Sequence, residues 1–277
     1  MRVHHLSCGS MCPFGGAFYD GFSKGLHAHL VCHCLLIETE RDGLVLVDTG
    51  FGEQDLQRHD SRIALFFRRF NNIQQRPELS ALAQVQRLGF QAQDVRHIVL
   101  THLDFDHAGG LTDFPHARVH LLQQELATSH RRDNWLQQRR YRPAQWPGNV
   151  QWQTYQPQGE SWQGFAAVKD LAGLPPEILL IPLPGHTPGH AGVAVQQGDR
   201  WLLHGGDAWF YRGEMYQPQR HCTPGLRFYQ WMMAADNAAR RENQQRLREL
   251  SLNQQGNISL FCSHDAKELA RMQARKP

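Results

Sequence analysis

The sequence predicts an α/β domain whose short buried strands end on residues able to bind a metal. Two observations lead to this class. Brief apolar runs bounded by turn residues alternate with stretches of helical periodicity, and His or Asp follows directly after several of those runs. No low-complexity linker or internal repeat divides the 277 residues, so 1–277 reads as a single domain. At 41% hydrophobic and 20% charged, the chain has enough apolar material to bury a sizeable core. A net charge of +3 without a long basic block gives no reason to expect nucleic acid as a partner. No apolar run approaches membrane-spanning length, and the first residues carry no secretory leader. The expectation is a cytoplasmic protein with no membrane partner, its six Cys reduced.

In chain order, 30–37 and 44–47 read as strands joined by a hairpin turn at Asp42-Gly43. The second ends at Asp48-Thr49-Gly50, where Asp48 either caps a turn or holds a neighbouring ligand loop by hydrogen bonds. Residues 53–77 set Ile63, Leu65, Phe66, Phe67 and Phe70 among Arg, which suits a helix or a flap with an aromatic face. Pro77 opens a helix over Leu79, Leu82, Val85 and Leu88 that Gly89 closes. Residues 97–100 form a strand, Gly109-Gly110 give a tight entry into a helix, and 118–122 form a further strand. Residues 130–170, with Pro143, Pro147 and Pro157, read as an irregular surface excursion whose Arg side chains are solvated rather than bound to an anionic substrate. Strands follow at 178–183, 192–196 and 200–204, then a long helix over 226–252 with Leu226, Met233, Leu247 and Leu250 inward. The strand 258–262 delivers Ser263-His264-Asp265 and precedes a short last helix. Cys8-x3-Cys12 and Cys32-His33-Cys34 have spacings open to zinc, but Cys32 lies in an apolar strand, so no structural metal is expected there.

The informative stretch is Thr101-His102-Leu103-Asp104-Phe105-Asp106-His107-Ala108-Gly109-Gly110. Four ligand-type side chains there follow a buried strand, and extended backbone sends His102 and Asp104 to the same side. His186, Asp207 and His264 each follow a later strand, which brings the candidate ligands to seven. Such a set suits two metal ions about 3.5–4 Å apart.

These ordered motifs, from the Asp48-Thr49-Gly50 turn through Pro184-Gly185-His186-Thr187-Pro188-Gly189-His190 and Gly206-Asp207 to His264, resemble the metallo-β-lactamase superfamily, in particular its N-acyl-homoserine lactone lactonases. The resemblance implies a four-layer αββα sandwich with metals at one edge of two facing sheets. It assigns His102, Asp104 and His186 to a first metal, Asp106, His107 and His264 to a second, and Asp207 to a bridge. His190 matches no ligand position and is expected to be structural, fixing the loop around His186. The implied cofactor is a pair of divalent ions, zinc first, with iron or manganese as alternatives. The implied reaction is attack of a bridging hydroxide on a lactone or related ester, with Asp106 or a metal-bound water moving the proton. Phe105, Trp209, Phe210, Tyr211, Phe18 and Tyr19 suit a small apolar acyl or aryl substrate.

Two positions depart from the family pattern. Asp104 stands where relatives usually carry His, which adds a negative charge and a harder donor. Lactonase relatives carry Tyr three residues after the bridging Asp; here that residue is Phe210, so the adjacent Tyr211 becomes the candidate catalytic phenol. Thioester and phosphotriester hydrolysis remain alternatives on the same fold. A flavodiiron-like redox role is a further one, although those proteins place Glu at the Asp104 position and carry a flavodoxin module that does not fit here.

Overall fold

Residues Arg2–Met11, which the apolar patterning leaves unassigned, form the first strand, β1. The structure, a computed structural model, describes residues 1–57, 62–146, 148–168, 171–216, 219–254 and 256–275. Residues 58–61 of the aromatic stretch, and Pro147 and residues 169–170 of the expected excursion, lie outside that set. β1 pairs antiparallel with β2 (Leu30–Glu38), and β2 with β3 (Leu44–Val47). β4 (Val95–Val99), β5 (Arg118–Leu122) and β6 (Gln151–Tyr155) then add in parallel to complete a six-stranded sheet in sequence order. β7 (Glu160–Trp162) and β8 (Phe165–Ala167) make a small hairpin. The second sheet runs β12-β11-β10-β9, from β9 (Ile178–Pro182), β10 (Ala191–Gln197), β11 (Arg200–His204) and β12 (Ile258–Phe261).

Side-chain alternation along the strands explains the layering. Leu35, Ile37, Val45, Val47 and Val99 of the first sheet share one buried cluster with Leu180, Val193, Val195 and Phe261 of the second. The two sheets therefore face each other. The intervening residues point outward: Leu36, Leu46, Ile98 and Val119 pack with Ala81 and Val85, while Leu179, Ile181, Leu203 and Leu260 pack with Leu247 and Leu250. Both faces of each sheet are covered, as near-continuous apolar strands require. The result is the expected four-layer αββα sandwich.

Short helices α1 (Ala17–Asp20), α2 (Glu53–Gln57) and α3 (Leu65–Phe70) occupy the loops of the first half. α3 supports the helical reading of the aromatic stretch, with Phe67 buried and Phe66 exposed. The helix expected from Pro77 begins as one tight turn and continues as α4 (Ala81–Arg87), because Ser80 accepts the Ala83 N–H as an N-cap. α5 (Gln123–Arg131) follows β5 directly.

Two expectations need correction. Residues 130–170 are not an irregular excursion: they hold α6 (Trp135–Arg140), the edge strand β6 and the β7–β8 hairpin. The half-buried edge strand carries Trp, Gln and Thr in place of aliphatics, which hides its periodicity. The long helix is two, α7 (Pro224–Met233) and α8 (Asn237–Asn253). Asp236 caps α8 by accepting the N–H groups of Ala238 and Ala239, so the chain turns at 234–236. Leu226, Met233, Leu247 and Leu250 are buried as expected. Among the described residues no helix is long and apolar enough to cross a membrane.

The last helix, α9 (Ala266–Gln273), starts right behind His264 and buries Glu268 against the end of β12. Glu268 Oε2 accepts the Cys262 N–H at 2.7 Å. Burial, reinforced by Asp265, pushes its carboxyl from 4.5 up to about 8. The native state therefore holds a proton that the unfolded chain releases. That contribution is fully present below about pH 4.5 and is lost as pH rises through about 8. Glu268→Gln keeps the acceptor and removes the titration. Relative to wild type, its unfolding free energy should rise across that window by on the order of a few kcal/mol. Denaturant titrations at stepped pH test this, and parallel curves for the two proteins would refute it.

Candidate metal centre

All seven expected ligands converge where the loops after β4, β9, β11 and β12 meet between the sheets. Each of His102, Asp104, Asp106, His107, His186, Asp207 and His264 is buried. Asp207 is the hub. Its Oδ1 lies 3.1 Å from His264 Nε2 and 3.3 Å from His107 Nε2. Its Oδ2 lies 3.3 Å from His186 Nε2 and 3.8 Å from His102 Nε2. Asp106 Oδ2 is 3.6 Å from His264 Nε2. Asp104 Oδ2 is 3.5 Å from His102 Nε2 and 3.0 Å from His186 Nε2. Donors bound to one tetrahedral ion at roughly 2.0–2.2 Å stand about 3.4 Å apart, so the spacing fits a cation on either side of Asp207. His102 Nε2, His107 Nε2 and Asp207 Oδ1 are buried without a hydrogen-bond partner among the described residues. That is the condition of atoms reserved for a metal.

The surrounding hydrogen bonds fix which nitrogen each ring turns inward. His264 Nδ1 donates to the Val31 carbonyl at 2.7 Å, and His107 Nδ1 to Asp48 Oδ2 at 2.8 Å. Asp48 also accepts the Thr101 N–H and hydroxyl, both at 2.8 Å. Of the two readings of Asp48, the structure supports the one in which it holds the ligand loop. Its φ of +56° is unusual for a residue other than Gly, and the convergent hydrogen bonds retain it there. His190 supports Asp207: its Nδ1 donates to the Leu183 carbonyl and its Nε2 accepts the Asp207 N–H at 2.9 Å. The expected structural role of His190 thus falls on Asp207 as well as on the loop before His186. Gly206 precedes this contact at φ +56°, and a Cβ there would stand 2.5 Å from His190 Nε2.

Electrostatics follow from these neighbours. Burial would raise the Asp207 carboxyl, but His264, His107 and His186 outweigh it and hold the group well below the usual range. Burial raises Asp106, and the nearby Asp207 and Asp104 add to the shift although His107 and His264 oppose it. Burial would depress His107, yet Asp207, Asp48 and Asp106 push it well above 6.5. Burial and the adjacent His107 lower His102 to about 4.

Similarity to known proteins agrees with this geometry. The metallo-beta-lactamase superfamily matches over residues 28–220. The chain belongs to that superfamily. It is 40% identical over 266 residues to a probable metallo-hydrolase of Mycobacterium tuberculosis, covering 96% of this chain and 80% of that protein. It is 25% identical over 202 residues to an N-acyl homoserine lactonase of Bacillus thuringiensis subsp. kurstaki, covering 70% of each. Among solved structures it shares its fold with an N-acyl homoserine lactone hydrolase that holds the product N-hexanoyl-L-homoserine at its catalytic metal centre. The TM-score is 0.71 at 19% identity, over 99% of this chain and 96% of that one. The protein is accordingly a metal-dependent hydrolase of the metallo-beta-lactamase fold.

Within this superfamily member, several site residues were not evident from motif spacing. Glu125 on α5 is fully buried and joins two ligand loops, accepting the Leu103 N–H, the Thr187 hydroxyl and the Gly189 N–H. Cys32 lies with Asp106 and His264 in a third group of potential ligand atoms. Arg140 is buried, contrary to the expectation of solvated Arg in its segment, and donates to Asp104 Oδ2 at 2.8 Å. Tyr211, the expected phenol, lines a crevice with Phe210 and His264. A Cβ at Gly21 would stand 2.6 Å from the Tyr211 hydroxyl, and the Tyr211 ring packs on His221. It is Phe210 whose ring stacks on His264, and Tyr229 of α7 that packs behind it at 5.6 Å.

Asp48→Asn removes the carboxylate that orients His107 and keeps the size of the side chain. Metal affinity measured by chelator competition should fall about 10–100-fold. Unchanged affinity would mean that His107 is held without Asp48.

Proposed function

We propose that this hydrolase cleaves a lactone or related carboxylic ester of apolar character. The observation that carries the reading is the lining of a small crevice beside His264, about 10 Å³ in volume, which must widen to admit a substrate. Met11, Leu30, Phe210, Leu226 and Tyr229 line it, and no Lys or Arg is among its described lining residues. A neutral acyl compound loses little on entering such a surface, whereas a phosphate anion would be desolvated without a counterion.

In this reading His107, His264, Asp106 and Asp207 would hold a divalent ion. His102, His186, Asp104 and Asp207 Oδ2 frame a second cation position. Zinc suits this set of imidazole and carboxylate donors, and iron or manganese are compatible with it. When bound, the ion supplies Lewis acidity and lowers the pKa of a coordinated water to roughly 7. The other roles belong to the chain. The apolar wall excludes bulk water and presents the acyl carbonyl toward His264. Tyr229 is a second phenol, besides Tyr211, placed to take the expected catalytic part. Burial, with Asp106, Asp207 and Asp104 nearby, pushes its phenol well above 10, so it stays a hydrogen-bond donor at neutral pH. It donates to the acyl or leaving-group oxygen as negative charge gathers there. The structural relative that holds N-hexanoyl-L-homoserine contributes precedent for acyl homoserine lactone as one such substrate.

Two measurements test the reading. Metal-loaded protein should hydrolyse a panel of lactones and aryl esters faster than thioesters or phosphotriesters, and activity confined to phosphorus centres would overturn it. Tyr229→Phe should lower kcat by roughly 100-fold while metal content stays at the wild-type level. A variant with normal kcat would remove Tyr229 from the reaction.

A further inference from the structure

The two sides of Asp207 are built differently, and the difference centres on Arg140. This residue ends α6, and the next residue, Tyr141, forms a backbone bridge with Asp104 that draws the guanidinium inward. Only 1% of Arg140 is exposed. Its Nη1 donates to the carbonyls of His186 at 2.9 Å and Met233 at 3.2 Å. Its Nη2 donates to Asp104 Oδ2 at 2.8 Å and to His186 Nε2 at 2.9 Å. Those last two acceptors are the atoms that the first cation position would offer a metal.

A second, independent observation concerns the rings themselves. A metal-bound His normally donates its other ring N–H to a fixed partner. His107 and His264 do so, to Asp48 and to the Val31 carbonyl. The rings of the first position differ: His102 Nδ1 lies 2.9 Å from the Thr101 hydroxyl and its Nε2 stays without a hydrogen-bond partner, whereas His186 Nδ1 is the nitrogen buried with no hydrogen-bond partner among the described residues. His186 is held instead through Nε2, by the guanidinium. A guanidinium does not shed its proton in a protein, so Arg140 is a permanent positive charge in contact with that position. The exchange of the family's usual His for Asp104 fits the same account. It puts one negative charge against the fixed positive charge of Arg140.

We infer that Arg140 is the resident cation of the first position, so that the protein binds one exchangeable divalent ion, at His107, Asp106, Asp207 and His264, rather than two. Arg140 acts as a positioning residue. It holds Asp104 and His186, and through the His186–Asp207 contact it keeps the bridging carboxylate oriented without a second metal. The inference rests on the reading of the cluster as a hydrolytic metal centre.

The experiment is metal stoichiometry on the full chain, dialysed separately against zinc and manganese and then freed of loosely bound ion. Wild type should retain one ion per chain, and the manganese form should give the electron paramagnetic resonance spectrum of isolated ions. Arg140→Met, which removes the charge but keeps most of the bulk, should double the stoichiometry and introduce coupling between the two ions. Arg140→Lys should stay at one. Should Arg140→Met misfold, the Asp104→His/Arg140→Met double variant balances the buried charge and should also take up two. Two tightly held, coupled ions in wild type that hydrolyses an ester would overturn this inference alone. A stoichiometry of one that neither Arg140→Met nor the double variant changes would also overturn it, since Arg140 would not be what excludes the second ion. No retained metal in any form would overturn both this inference and the hydrolase reading beneath it.

Discussion

The charge balance of four carboxylates buried at one edge of the sandwich governs the rest of this structure. Asp48, Asp104, Asp106 and Asp207 are all withdrawn from water, and a buried anion without compensation costs several kcal/mol. Each therefore has a partner close by. Asp48 has His107 and Thr101, Asp104 has Arg140, and Asp207 has imidazoles on both sides. Asp106 is the least compensated and is the one whose carboxyl burial drives upward. A divalent cation beside Asp106 would remove that imbalance, which is the physical reason to place an ion on the His107–His264 side.

Convergence of these groups depends on the strand ends, since ligands brought from four separate loops must hold position to within about half an ångström to bind well. Glu125 ties the 102–107 loop to the 184–190 loop with three hydrogen bonds. His190 ties the 184–190 segment to Asp207, and the Val31 carbonyl of β2 fixes His264. The facing sheets thus carry the ligands on rigid elements, and the polar groups between the loops set the final geometry.

Much of this was legible in the sequence. The apolar runs mark the inner strands, and the His and Asp after β4, β9, β11 and β12 mark the candidate ligands, because a charged side chain at the end of a buried strand must meet a compensating charge there. What remained hidden depended on contacts made far along the chain. Arg140 lies 36 positions from Asp104 and sits in a stretch rich in Arg, Gln and Trp. Nothing local distinguishes it from Arg139, which packs its guanidinium over the exposed ring of Trp135. Glu125 is likewise one Glu in a polar helix. The proposed role of Tyr229 has no signal in its own neighbourhood, since that residue comes from α7 and not from the residues next to Asp207. The single helix expected over 226–252 fails at one boundary, as Ala234 and Ala235 do not break helical patterning and only the cap at Asp236 does.

That break has a consequence for how the two halves of the site communicate. The N–H groups of Ala235 and Asp236 donate to the carbonyls of His186 and Gly185, and Arg140 Nη1 donates to the carbonyl of Met233 at the end of α7. The helix that carries Tyr229 is therefore anchored at its C-terminal end to the loop of His186 and to the guanidinium beside Asp104. A continuous helix through 234–236 would use those N–H groups internally and leave the His186 carbonyl with only its Arg140 partner. The turn thus couples the apolar wall to the charged cluster. A change that displaces Arg140 would loosen both the first cation position and the seat of the phenol, whereas the His107–His264 side, anchored on Asp48 and β2, would keep its geometry.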